Sequence, residues 1–183
     1  MKVLVIDLLE AGASHRITPF VWGGWMEAAA VTFERFHPAP PPPRACSLTV
    51  TNRDEVPAAF VWPATNEDTR GSHANPLNAT EHGAYAVATA TVAALDGWRV
   101  TGRAHHGSGA DLLMLREGAN PNDFVRLEVS GMAEGSGAPG LTALRRRLVE
   151  KIDQLGKGDL DRPGVAAVVG FELASVLVSE VQE

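Results

Sequence analysis

The sequence has little of several features that define whole classes of protein. Its 183 residues include a single cysteine, Cys46, which excludes an internal disulfide bond and fits a reducing compartment. No apolar run is long enough to cross a bilayer. The basic segment followed by an apolar stretch that marks a secretory leader is also missing. We therefore expect a cytoplasmic protein with no membrane partner.

Positive charge is scarce as well. The chain has 16 Lys and Arg residues against 22 Asp and Glu, which gives a formal net charge of -6. Because contacts to phosphate dominate the affinity for nucleic acid, this balance counts against a strong non-specific DNA binder that acts alone. The only dense basic cluster is Arg145–Arg147. A local basic groove, or a protein partner that supplies the affinity, remains compatible with this charge.

The length and an apolar content of 45% predict one domain with a sizeable core. Residues 1–77 are interpreted as an N-terminal β-α-β extension packed on that core. Its predicted parts are a strand at Lys2–Leu8, a helix that Thr18 caps and that runs to Phe36, an extended proline-rich spacer at Pro38–Pro43, a strand at Cys46–Thr51, and a loop from Asn52 to Ala79 broken by a short strand at Ala58–Trp62.

Residues 78–183 have more regular patterns and are interpreted as the core. Apolar residues at helical and at alternating spacing predict the order helix, three strands, helix, strand. The predicted elements are a helix capped by Asn78 or Thr80 and ending near Leu95, strands at Trp98–Ala104, Asp111–Leu115 and Phe124–Ser130, a glycine-rich loop at Gly131–Gly140, a helix at Leu141–Leu155 and a buried strand at Val165–Leu173. We expect the four strands to share one mixed sheet.

Two of these strands carry one carboxylate each. Asp111 heads the second strand, and Glu128 lies in the third, where Val125, Leu127 and Val129 point to the opposite face. A carboxylate beside a buried sheet is costly unless it is paired or binds a cation. Because one hairpin joins the two strands, the two carboxylates are expected to form a site for a divalent metal.

This order of elements, with acids at these positions, resembles the restriction-endonuclease-like, or PD-(D/E)XK, nuclease superfamily over roughly residues 78–173. The core of that family is αβββαβ, with a mixed sheet flanked by helices. Its first helix can supply an acid, its second strand an Asp and its third strand a Glu-x-Lys. Here Glu81, Asp111 and Glu128-Val129-Ser130 occupy those places.

The resemblance implies hydrolysis of phosphodiester bonds in DNA or RNA with Mg²⁺ or Mn²⁺. Asp111 and Glu128 would hold the cation, which polarises the phosphate and lowers the pKa of the attacking water, and Glu81 would complete the shell. The chain departs from the family at Ser130, which stands where the catalytic lysine is expected. Lys151 is the candidate replacement, because some members carry this lysine on the following helix.

Three more residues are candidates for contact with substrate. Gln154 lies almost one helical turn after Lys151 and could help to position a phosphate. Arg147 belongs to the basic cluster, and His106 lies in a predicted turn at the mouth of the site.

Each site residue also has a structural interpretation. Glu81 would favour the start of its helix if Asn78 were the N-cap. Glu128 would form a surface ion pair with Arg126 or Arg103. If these apply, the chain is a non-catalytic structural or interaction subunit on a nuclease-like fold, which the negative charge and the absent strand lysine favour. A third class is a small-molecule hydrolase that uses the carboxylates as acid and base.

Overall fold

The computed structural model describes residues 3–38, 44–50, 56–158 and 161–181. The strands in these ranges are β1 (Leu4–Asp7), β2 (Arg44–Val50), β3 (Val56–Val61), β4 (Trp98–Arg103), β5 (Leu112–Arg116), β6 (Val125–Met132), β7 (Gly164–Gly170) and β8 (Ser175–Val181). The helices are α1 (Leu8–Ala11), α2 (Pro19–Phe36), α3 (Glu67–Ser72), α4 (Pro76–Asp96) and α5 (Gly137–Gly156), and a 3-10 turn follows α1 at Gly12–Ser14. No helix in the described ranges combines the length and apolar character needed to cross a membrane.

The strands form one mixed sheet in the order β1-β3-β2-β8-β7-β6-β5-β4. β4, β5 and β6 are an antiparallel meander, and β6 then pairs in parallel with β7. A parallel pair needs a long crossover, and α5 supplies it between β6 and β7. β8 pairs antiparallel with β7 and parallel with β2, so it joins the N-terminal strands to the rest of the sheet.

The sheet separates two helical layers, and β6 shows the division most clearly. Leu127 and Val129 belong to the main core, to which α2 and α4 contribute. On the opposite face, Leu144 of α5 packs with Val168 and Leu177 in a smaller core. The intervening residues of β6 face α5, and this is the side on which Glu128 lies.

The mixed α/β architecture that the sequence predicts is confirmed. The four segments expected to share a sheet do so as β4, β5, β6 and β7. Along the chain, α4, β4, β5, β6, α5 and β7 follow one another as helix, three strands, helix and strand. β1, β2 and β3 continue the same sheet beyond β8, so the N-terminal strands and the predicted core share one set of backbone hydrogen bonds.

Several predicted boundaries are wrong. Asn75, rather than Asn78 or Thr80, caps α4, since its side chain accepts hydrogen bonds from the amides of Leu77 and Asn78 and Pro76 takes the first helical position. The loop predicted at Gly131–Gly140 is much shorter than expected. β6 continues to Met132 and α5 begins at Gly137, so only residues 133–136 connect them.

Three elements were not predicted. α1 and α3 are four and six residues long, too short for a periodic pattern. The Val165–Leu173 segment ends as a strand at Gly170, turns, and returns as β8. α3 and the start of α4 fall within the predicted Asn52–Ala79 loop. Most of the proline-rich spacer, and the end of the predicted strand at Thr51, lie outside the described residues.

Candidate active site

The start of β5 brings the two predicted carboxylates together. Leu112 pairs with Leu127, so Asp111 lies beside Glu128 across the β5-β6 pair. The Asp111 amide donates to the carbonyl of Leu127 at 3.0 Å, and the amide of Val129 donates to Asp111 Oδ2 at 2.9 Å. The side chain of Asp111 is therefore held by the backbone of β6 next to Glu128.

Glu128 is a buried acid, with 1% of its surface exposed. Its Oε1 accepts a hydrogen bond from Lys151 Nζ at 2.5 Å, whereas its Oε2 is buried and has no hydrogen-bond partner among the described residues. Burial raises the pKa of Glu128 to about 7, the negative charge of Asp111 adds to the rise, and Lys151 opposes it. One oxygen of this carboxylate is thus left for a proton or a cation.

Lys151 reaches Glu128 from the adjoining helix α5. Its ammonium is mostly buried and also donates to Gln154 Oε1 at 3.0 Å. The expectation of a surface ion pair between Glu128 and Arg126 or Arg103 is wrong, because Glu128 is buried and its cation comes from α5.

Tyr85 is a site residue that sequence reasoning missed. Its hydroxyl donates to Asp111 Oδ1 at 3.0 Å, and burial followed by the charge of Asp111 raises its pKa, so the phenol stays protonated and serves as a donor. The Arg103 guanidinium lies 5.1 Å from the centre of the Tyr85 ring and 5.5 Å from that of Trp25. The available signal was its place four residues after Glu81, on the same face of α4.

Glu81 lies in the second turn of α4 and is exposed. Because Asn75 is the N-cap, Glu81 is not in the capping position that its structural interpretation required. It lines a cavity of about 230 Å³ together with Tyr85, Asp111, Ser130, Arg147 and Lys151. Across the residues that the structure describes, no three or more His, Cys, Asp or Glu side chains are grouped as metal ligands would be.

The hydroxyl of Ser130 accepts a hydrogen bond from a second side chain of α5, that of Arg147. Arg147 Nε donates to Ser130 Oγ at 2.9 Å, and Arg147 Nη1 donates to Glu150 Oε2 at 2.9 Å. The serine continues into Gly131 and Met132 of β6, so it does not end the strand. The position at which the sequence resemblance led us to expect a lysine thus holds a hydroxyl that accepts a hydrogen bond from an arginine.

Asp111 also borders a second cleft. The cleft encloses about 520 Å³, and its walls include Arg103, His106, Gln154 and Lys157. His106 and Gln154 are both exposed there, whereas Arg147 lines the smaller cavity. The predicted substrate residues are therefore divided between two cavities, both of which Asp111 borders.

Arg126 joins backbone segments next to residues of this second cleft, a role that sequence reasoning missed. The buried guanidinium donates through Nη1 to the carbonyls of Ser108 and Leu155, at 3.0 and 2.9 Å, and through Nε to that of Arg162 at 2.9 Å. Gly109 adopts a φ of +71°, and a Cβ there would lie 2.5 Å from the carbonyl oxygen of Gln154. The turn before Asp111 therefore packs directly on the end of α5.

Comparison of the chain with protein-family models, with curated proteins and with solved structures finds no match.

Proposed function

We propose that the protein is a Mg²⁺- or Mn²⁺-dependent nuclease with a restriction-endonuclease-like αβββαβ core and a variant active site that lacks the strand lysine. The observation that carries the proposal is the meeting of Asp111, Glu128 and Lys151, which come from three consecutive elements of that core. The order of α4, β4, β5, β6, α5 and β7, with α5 crossing between two parallel strands, supports the same family.

The two carboxylates suit a hard cation. Mg²⁺ is usually bound through one or two carboxylates and keeps several waters, so a third acid is not required. Glu128 Oε2, which has no hydrogen-bond partner in the part of the chain that the structure describes, lies beside Asp111 and is the oxygen that such a cation would take. When bound, the cation would polarise the scissile phosphate and lower the pKa of the attacking water. Glu81, on the cavity wall, would reach this shell through water.

The protein side chains then have distinct tasks. An ammonium has three N–H donors, and among the described residues Lys151 uses two of them, on Glu128 Oε1 and Gln154 Oε1. The third is left to orient the attacking water or to donate to a phosphate oxygen as negative charge develops. Tyr85 and the amide of Val129 fix the two oxygens of Asp111, which keeps the carboxylate aimed at the cavity.

A second candidate is a non-catalytic structural or interaction subunit on this fold. The observation in its favour is that Lys151 already pairs with the buried carboxylate of Glu128, so this acid has a partner that is not a metal ion. The net charge of -6 favours a protein partner under either function.

The decisive experiment is cleavage of labelled single-stranded and duplex DNA and of RNA in Mg²⁺, in Mn²⁺ and in EDTA. We expect cleavage that depends on the cation. Asp111→Ala should lose both metal binding and cleavage, whereas Lys151→Ala should lose cleavage and retain metal binding measured by calorimetry. Glu117→Gln, which removes an acid from an exposed ion pair with Arg99, is the control. Absence of cleavage by the wild-type protein on every substrate would favour the non-catalytic subunit.

A further inference from the structure

Two positively charged side chains of α5 donate hydrogen bonds to two side chains of β6. Arg147 and Lys151 are four residues apart on the helix, which separates them by about 6 Å along its axis. Ser130 and Glu128 are two residues apart on the strand, which separates them by about 6.6 Å on one face. Each cation donates to one of these acceptors, Arg147 to Ser130 and Lys151 to Glu128. The helix thus presents two positive side chains in register with the strand.

Arg147 has two of its three guanidinium nitrogens engaged in hydrogen bonds to described residues and one left over. Within the described part of the chain, its hydrogen bonds use Nε and Nη1, on Ser130 and Glu150. A guanidinium has five N–H donors, so the Nη2 group remains for another acceptor. The side chain is 46% exposed and lines the small cavity with Asp111 and Lys151. Its position is that of a donor at the wall of the carboxylate site.

We propose that Arg147 binds a phosphate of the substrate strand and that Ser130 is the positioning residue that holds it there. The inference rests on the proposed nuclease function. The two N–H groups of Nη2 can donate to phosphate oxygens while the bonds of Nε and Nη1 hold the planar guanidinium in place, which suits an arginine better than an ammonium to fix the orientation of a phosphate. Under this proposal, the serine at the superfamily's lysine position has a function of its own, because its hydroxyl accepts the hydrogen bond that positions Arg147 of the next helix.

Arg146 provides a matched control. It neighbours Arg147 in the same basic cluster, but its side chain is 80% exposed and its ion pair is with Glu150. It does not line either cavity beside Asp111. Arg146→Ala and Arg147→Ala therefore remove the same charge from the same helix turn, and only the second removes a donor from the site.

The test measures binding of a fluorescein-labelled 20-nucleotide single-stranded DNA in Ca²⁺ and its cleavage in Mg²⁺. We expect Arg147→Ala to raise Kd about tenfold, and to lower the slope of log Kd against log salt by about 0.7, as loss of one phosphate contact on a single strand requires. Arg146→Ala should change Kd less than twofold. Ser130→Ala should raise Kd about threefold, and should add nothing in the Arg147→Ala background, because it acts through Arg147.

The outcomes separate the two proposals. If the wild-type protein cleaves but Arg147→Ala binds and cleaves like Arg146→Ala, the phosphate contact is refuted and the nuclease function stands. If Ser130→Ala weakens binding equally with and without Arg147, its positioning role is refuted. If the wild-type protein neither binds nor cleaves the oligonucleotide, both proposals are overturned. Thermal unfolding of each variant must remain cooperative and within a few degrees of wild type, so that a loss of fold is not read as a loss of contact.

Discussion

Glu128→Gln is expected to make the protein more stable at alkaline pH. The substitution replaces the buried carboxylate by a neutral side chain of the same shape, and so resembles the protonated acid. Burial and the charge of Asp111 raise the pKa of Glu128 from 4.5 to about 7 in the folded state. Each pKa unit corresponds to 1.36 kcal/mol, so the ionised carboxylate costs the folded state about 3 kcal/mol.

The sign of the pH dependence follows from proton linkage. Between about pH 4.5 and 7 the unfolded chain has an ionised Glu128 while the folded protein retains its proton. The folded state therefore binds more protons, and the stability contributed by this group falls as pH rises through that window. The advantage of Glu128→Gln should be near zero at pH 4.5 and reach about 3 kcal/mol by pH 8, which is about 6–12 °C in Tm for a chain of this size.

The assay is urea and thermal unfolding of both proteins from pH 4.5 to 8.5 in EDTA. Glu117→Gln is the control, because it removes a carboxylate from an exposed ion pair and should change stability by less than about 1 kcal/mol at any pH. With Mg²⁺ in place of EDTA, at about 100 times its Kd, the free energy of unfolding of the wild type should rise by about 2.7 kcal/mol and that of Glu128→Gln should not change. A Glu128→Gln protein that is less stable than wild type at pH 8, or a difference that does not vary with pH, would refute the account of this carboxylate.

Three further outcomes follow from the same geometry. Tyr85→Phe should weaken Mg²⁺ binding about tenfold, measured by calorimetry, because Asp111 loses the donor that orients it, and unchanged affinity would contradict this role. Mg²⁺ affinity of the wild type should rise with pH through about 7, as the cation displaces the proton of Glu128, and a flat profile from pH 6 to 8 would oppose it. Gly109→Ala should destabilise the protein by more than Gly118→Ala in urea unfolding, since both glycines have positive φ but only the first would clash with a helix carbonyl; equal losses would refute the clash.

The sequence contains enough local information to predict one side of the site. The alternation along β6 assigns Glu128 to the face opposite Leu127 and Val129, and the hairpin to β5 brings Asp111 beside it. The helical position of Lys151, at the border of the buried face, predicts a side chain directed toward the sheet. These three positions depend on residues close in the chain or on one hairpin turn, and the spacing of apolar residues is enough to predict them.

Residues whose partners are distant in the chain could not be predicted in this way. The hydrogen bond from Tyr85 to Asp111 depends on how α4 lies across the sheet. Arg126 satisfies three carbonyls from three separate segments, and nothing in its own neighbourhood distinguishes it from a solvated arginine. Arg147 was assigned to the substrate by charge alone, whereas its link to Ser130 needed the register between α5 and β6. These contacts depend on how the helices and strands pack against one another, and the residue pattern within a single helix or strand does not predict that packing.

The pairing of β2 with β8 has a consequence for the time course of folding. Leu48 of β2 aligns with Val176 of β8. The pairing that joins the N-terminal strands to the rest of the sheet therefore brings together two segments from near opposite ends of the chain. Closing so long a loop is entropically slow, and non-local strand pairing of this kind is associated with folding times toward the upper end of the millisecond-to-second range. Until β8 pairs with β2 during folding, β2 has an exposed strand edge with which another molecule can pair. Refolding yield should therefore fall as protein concentration rises, even though the finished molecule buries that edge.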